Sequence, residues 1–140
     1  MSEYEGDLTP QQAWDMLLDN PAAVLVDVRT EAEWRFVGVP DTSATGREPV
    51  FAEWINYPEA AHNERFLDQL SQAGIGRDTG APIVFLCRSG QRSIGAATAA
   101  TAAGMGPAYN ILDGFEGGPD DEGHRGVQGW KASALPWRQG

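Results

Sequence analysis

Cysteine is almost absent from this chain of 140 residues: Cys87 stands alone. A single cysteine excludes an intrachain disulfide and any multi-cysteine metal cluster, which leaves a buried spectator or a reactive thiol. Positive charge is also scarce, with 10 Lys and Arg against 20 Asp and Glu and a net charge of -10. The basic footprint that nucleic-acid backbones and anionic membranes select is missing, so neither is an expected partner. Such acidity serves solubility, or attraction to a basic protein. The longest apolar runs, Ala22–Val26 and Ile83–Cys87, fall far short of the roughly 20 residues of a membrane helix. The opening Met-Ser-Glu-Tyr-Glu-Gly-Asp lacks the basic-then-apolar succession of a secretory signal, which makes the cytoplasm the expected location.

What is present is the composition of one globular domain, 41% hydrophobic and 21% charged, with 17 Gly and 9 Pro to supply turns. Residues 1–7 read as an acidic lead and 8–140 as a single domain. Thr9-Pro10-Gln11-Gln12 orders a cap hydroxyl, a first-turn proline and a capping-box glutamine, and Ala13, Trp14, Leu17 and Leu18 follow at helical spacing up to Asn20-Pro21. Ala22–Val28 reads as a strand interrupted by Asp27, Glu31–Phe36 as a short helix, and 37–61 as a long connection anchored by Phe51, Trp54, Ile55 and Tyr57. Phe66, Leu67 and Leu70 restore helical spacing, with His62 at or before its start, and Pro82–Leu86 is the most apolar strand. From Ser93 to Gly104 the small residues read as a closely packed helix, and Ala108–Leu112 as a further strand. Strands alternating with helices predict an α/β fold: an open parallel sheet with helices on both faces. Ligands of such sheets bind beyond the carboxyl ends of the strands, which is where Cys87 falls.

Cys87-Arg88-Ser89-Gly90-Gln91-Arg92-Ser93 carries the chemistry. If this run curls over the start of the next helix, backbone N–H groups converge on one point, helped by the helix's roughly +0.5 charge. Gly90 permits the curl, and Arg88 and Arg92 add two permanent charges. A charge about 4 Å away at an effective dielectric near 20 is worth up to about 4 kcal/mol before solvent reduces it. The loop therefore predicts a thiolate at Cys87, a nucleophile set where an anionic substrate or intermediate is stabilised.

The same seven residues closely resemble the active-site loop of rhodanese-like sulfurtransferases. Leu25-Val26-Asp27-Val28-Arg29 with Glu33-Trp34 resembles the family's first signature, and Gly129-Trp130 through Leu135-Pro136 its C-terminal ending. The resemblance implies a rhodanese-like open sheet and a sulfurtransferase. Cys87 would take a sulfane sulfur from thiosulfate or a persulfide, become a persulfide, and pass the sulfur to an acceptor thiol, on a protein or a small molecule, or to cyanide. The amides from Arg88 to Ser93 would surround the outer sulfur. Arg88 and Arg92 would orient the anionic donor, with Arg92 alternatively paired to an acidic side chain that holds the loop. Ser89 and Ser93 would donate hydrogen bonds, and Gly90 and Gln91 complete the binding loop. Asp27 and Arg29 are expected to brace the strand end. The alternatives are a non-catalytic binding scaffold of the same fold, or a cysteine-dependent phosphatase or arsenate reductase. The latter loops place five residues between Cys and Arg after a His; here four intervene and Leu86 precedes.

Where the family usually has a Gly-His-Ile-Pro-Gly-Ala-like turn, this chain has Val37-Gly38-Val39-Pro40-Asp41-Thr42. Residues 116–128 read as an acidic loop insertion. Its Glu116, Asp120, Asp121, Glu122 and His124 match no calcium or zinc spacing, so no metal and no organic cofactor is implied. Trp14, Trp34, Trp130 and Trp137 are expected to pack or cap the core. Trp54 and Tyr57, in the long connection, either pack or line the substrate mouth.

Overall fold

Thr9 opens the first helix as its sequence predicts. Its hydroxyl accepts the Gln12 N–H at 3.1 Å, and the Gln12 side chain accepts the Thr9 N–H at 2.9 Å. Helix α1 spans Pro10–Asp19 and ends where the Asn20 N–H bonds back to the Met16 carbonyl. A second capping box, between Thr30 and Glu33, opens α2 over Glu31–Phe36. The structure, a computed structural model, describes residues 4–55, 63–76, 80–118 and 129–139.

Five parallel strands form the sheet: β1 Gly6–Leu8, β2 Val24–Asp27, β4 Val50–Phe51, β5 Ile83–Leu86 and β6 Ala108–Ile111, in the order β1-β6-β5-β2-β4. The short strands β3 Val39–Pro40 and β7 Trp137–Arg138 pair antiparallel to each other. Helices α3, Phe66–Gln72, and α4, Arg92–Ala102, complete the order. The open parallel sheet with both faces covered is the α/β architecture expected. The expectation missed β1, whose first residues belong to the acidic lead, and β4, inside the long connection. At three and two residues, neither is long enough to display a strand's alternation.

Alternation along the central strands sorts the core. Val26, Ile83, Phe85 and Ala108 face Phe66 and Leu70 of α3 and Ala96, Ala97 and Ala100 of α4. Leu25, Val84, Leu86 and Ile111 face Ala13 and Leu17 of α1 together with Phe115, Trp130 and Leu135. Burying each large aliphatic or aromatic side chain contributes about 1.5–3 kcal/mol. The alanines of α4 let that helix approach the sheet closely, and Cys87, the residue after β5, belongs to the α3–α4 side. Among the described residues no helix is long and apolar enough to cross a membrane.

Candidate active site

Strand β5 delivers Cys87 to the carboxyl end of the sheet, and five residues later α4 begins at Arg92. Gly90 makes the return between them. Its φ of +94° lies in the left-handed region, and an added Cβ would stand 3.1 Å from the Asp113 nitrogen. This turn aims the Gly90 N–H at the Cys87 Sγ, 3.1 Å away. Among the described residues it is the one backbone amide of the loop bonded to the Cys87 sulfur itself. Cys87 is only 1% exposed, tucked under its loop.

Ser93, in the first turn of α4, is fully buried with its Oγ 3.3 Å from the sulfur. The same hydroxyl donates to the Asn110 Oδ1. Asn110 in turn donates from Nδ2 to the Asp7 Oδ1 at 3.0 Å. Sequence reasoning missed Asn110 and Asp7. A lone polar residue within the apolar run Ala108–Leu112, on the side of Ala108 and so facing α4, was the available signal for Asn110.

The two arginines separate. Arg92 grips Glu33 of α2 with both ends of its fork, at 2.8 and 3.0 Å. Of its two expected roles, pairing with an acidic side chain is the one the geometry has. Burial by itself would raise the Glu33 carboxyl pKa. The Arg92 hydrogen bonds and charge, the Thr30 N–H and the charge of Arg29 outweigh it and hold the carboxyl below its ordinary value. Burial likewise works against the Arg92 cation, yet Glu33 first, then Cys87 and Asp27, raise its pKa above the ordinary value. Arg88 and Gln91 are exposed and Ser89 is half-buried.

Beneath the loop lies a second one, at the edge of the expected insertion 116–128. Phe115 N–H donates to the Cys87 carbonyl at 2.8 Å, and the Glu116 and Gly117 N–H groups share the Arg88 carbonyl at 3.0 and 3.1 Å. Gly114 allows this approach, because a Cβ there would fall 2.3 Å from the Cys87 carbonyl oxygen. Trp130, fully buried, clasps the clamp from behind through its backbone N–H to the Gly114 carbonyl at 2.8 Å. Residues 116 and 117 thus support the candidate loop through their backbone, and residues 119–128 of the expected insertion lie outside the described residues.

Asp27 and Arg29 form a buried pair on the other side of the sheet, as bracing residues. Trp54 packs edge-on against Phe66, with ring centroids 5.1 Å apart, and its ring covers Gly95 of α4; this is the packing role of the two considered. Tyr57, His62, Asp120, Asp121, Glu122 and His124 lie outside the described residues.

A family model described as the rhodanese-like domain matches residues 9–118. The chain belongs to this family. Among solved structures, the rhodanese-like chain is similar to Rv0390 from M. tuberculosis, with 63% identity, a TM-score of 0.89, and coverage of 98% of this chain and 99% of that one. It also shares its fold, at 22% identity and a TM-score of 0.64, with the homodimeric polysulfide-sulfur transferase of Wolinella succinogenes, covering 99% of this chain and 80% of that one. The uncharacterised protein RC0915 of Rickettsia conorii is 40% identical over 127 residues, 91% of this rhodanese-like chain and 92% of its own length.

Proposed function

We propose that this rhodanese-like domain is a sulfurtransferase with Cys87 as its sulfur carrier. One observation carries the reading: the chain's single thiol sits at the carboxyl end of β5, accepting the Gly90 N–H at 3.1 Å, within a loop at the start of α4. In the forward step the Cys87 sulfur, as thiolate, attacks the outer sulfur of thiosulfate. A Cys–S–S bond forms, the donor's S–S bond breaks, and sulfite leaves with the electron pair. An acceptor thiolate or cyanide then attacks the outer sulfur and returns the Cys87 thiolate. A persulfide donor enters the same way, with a thiolate as the leaving group.

The loop's size supports sulfur over phosphoryl transfer. Four residues separate Cys87 from Arg92, and Arg92 is already engaged by Glu33. A phosphoryl group with its oxygens needs a roomier loop than one added sulfur. Exposed Arg88 is the cation left to draw in an anionic donor.

Intact mass before and after thiosulfate tests the proposal, with Cys87→Ser alongside. The expected result is a gain of one sulfur atom in the wild type, lost on adding cyanide and never seen in the variant. Absence of the adduct with thiosulfate and with a small persulfide donor would overturn it in favour of the scaffold reading.

A further inference from the structure

A hydrogen-bonded chain runs from the sheet edge to the buried sulfur, through Asp7 on β1, Asn110 on β6, Ser93 on α4 and finally Cys87. Its direction follows from what each group can do. The Asp7 Oδ1 accepts from the Tyr4 hydroxyl at 2.9 Å and from the Asn110 NH2 at 3.0 Å, so the amide turns its NH2 towards the carboxyl. That leaves the Asn110 Oδ1, which also only accepts, facing the Ser93 hydroxyl. A hydroxyl has one hydrogen, and Ser93 spends it on Asn110. What Ser93 presents to the sulfur at 3.3 Å is therefore a lone pair.

We propose that Asp7 and Asn110 are positioning residues that turn the Ser93 hydroxyl so that its oxygen, and not its hydrogen, faces Cys87. In this arrangement Ser93 accepts from the Cys87 S–H, and a sulfur anion has the Gly90 N–H as its donor. When the hydroxyl lets go of Asn110 it can swing its hydrogen onto the sulfur and add a second donor to the anion. Asp7 controls the swing from the surface. Without its acceptor the Asn110 amide is free to flip, present its NH2 to Ser93, and release the Ser93 hydrogen for Cys87.

The inference concerns the same sulfur as the proposed function but does not require sulfur transfer, because Cys87 is the only cysteine in the sequence and thiol reagents read it alone. The test is the rate of iodoacetamide alkylation at one fixed pH on the rising limb of the wild-type pH–rate profile, where the thiolate fraction limits the rate, for the wild type, Asp7→Ala, Asp7→Asn, Ser93→Ala and the Asp7→Ala/Ser93→Ala double variant. A hydroxyl donor to an anion is worth roughly tenfold in the anion's population, and about half of that, on a logarithmic scale, is returned through lower nucleophilicity. Asp7→Ala is therefore expected to react roughly threefold faster than wild type. Asp7→Asn keeps an acceptor for the Asn110 amide while losing the charge, and is expected to stay near wild type. In the Ser93→Ala background, Asp7→Ala is expected to change nothing. Unchanged or slower alkylation in Asp7→Ala would overturn the proposal. So would equal acceleration in Asp7→Asn, which would mark a simple charge effect, or acceleration that persists without Ser93, which would mark a loosened β1.

Discussion

Arg92 and Glu33 meet fork to fork, Nη1 to Oε1 at 2.8 Å and Nη2 to Oε2 at 3.0 Å, across 59 residues of sequence. The pair ties the first residue of α4 to the first turn of α2 and is about four-fifths buried on both sides. A cation committed in this way holds the loop's end in place.

Arg88 and Arg92 should accordingly fail differently. Lysine cannot match the two-pronged geometry, and alanine leaves the largely buried Glu33 without its countercharge. Arg92→Ala is expected to cost about 1–3 kcal/mol in urea unfolding. Arg88→Ala, at an exposed position, is expected to leave stability unchanged and raise the KM for thiosulfate roughly two- to fivefold, an effect that shrinks with added salt. Equal stability losses from the two substitutions would refute this division of labour.

The pairing also gives stability a pH dependence on the acid side. Glu33 has a lower pKa in the folded protein than its ordinary 4.5. The contribution is thus fully present above pH 4.5 and is lost as pH falls from there through the lower folded value. Glu33→Gln should flatten that part of the stability curve and leave the slope above pH 6 unaltered. Denaturant titrations from pH 3 to 7 would read it, and an unchanged acid slope in Glu33→Gln would contradict the assignment.

Part of this site was legible in the sequence because its chemistry is local. Cys87 through Ser93 are consecutive, the first helix start follows from the capping pattern at Thr9, and the small residues from Ser93 place the second within one residue of its start at Arg92. What was not legible is what arrives from elsewhere in the chain. Glu33, Asn110 and Asp7 reach the loop through strand order and register, such as Asp7 beside Asn110 in the β1–β6 pairing, and no local pattern announces a strand of three residues. The clamp leaves no signal in the sequence for a related reason: Gly114 and Glu116 act through backbone groups, which leave little mark on residue type.

That clamp makes a prediction about a glycine outside the loop. Gly114 has a φ of +58°, and its missing Cβ would stand 2.3 Å from the Cys87 carbonyl oxygen and 2.6 Å from the Arg88 carbonyl carbon. Since both are backbone atoms, relief requires the candidate loop itself to move. Gly114→Ala is expected to lower thermal stability by about 2–4 kcal/mol, through overpacking and the left-handed backbone, and to slow sulfur loading of Cys87 by more than tenfold in the folded fraction. Gly118→Ala, where nothing lies within 4 Å, is the matched control and is expected to behave as wild type in both assays.

The last prediction concerns the buried pair on the opposite side of the sheet. Arg29 donates from Nε to Asp27 Oδ1 at 2.9 Å and from Nη2 to Asp27 Oδ2 at 2.6 Å, and the same Nη2 reaches the Gly38 carbonyl at 2.8 Å. Its guanidinium carbon lies 4.3 Å from the centroid of the Phe115 ring, one residue from Gly114 in the clamp. The pair therefore joins the end of β2 to the turn at Gly38 and to the support under Cys87. Desolvating two charges consumes much of what their attraction returns, so the stability at stake appears when one partner is removed and the other is left buried alone. Asp27→Ala is expected to destabilise the protein by about 3–5 kcal/mol. Asp27→Leu with Arg29→Met removes both charges and should be less destabilised than Asp27→Ala alone. Because Cys87 lies on the α3–α4 side of the sheet and the pair on the other, Cys87 alkylation in the folded double variant should stay within about twofold of wild type. Urea unfolding of the double variant and of both single variants decides the matter: strictly additive losses would mean that Asp27 and Arg29 brace the strand end independently, and a large change in alkylation would move Arg29 from support of the sheet to the site itself.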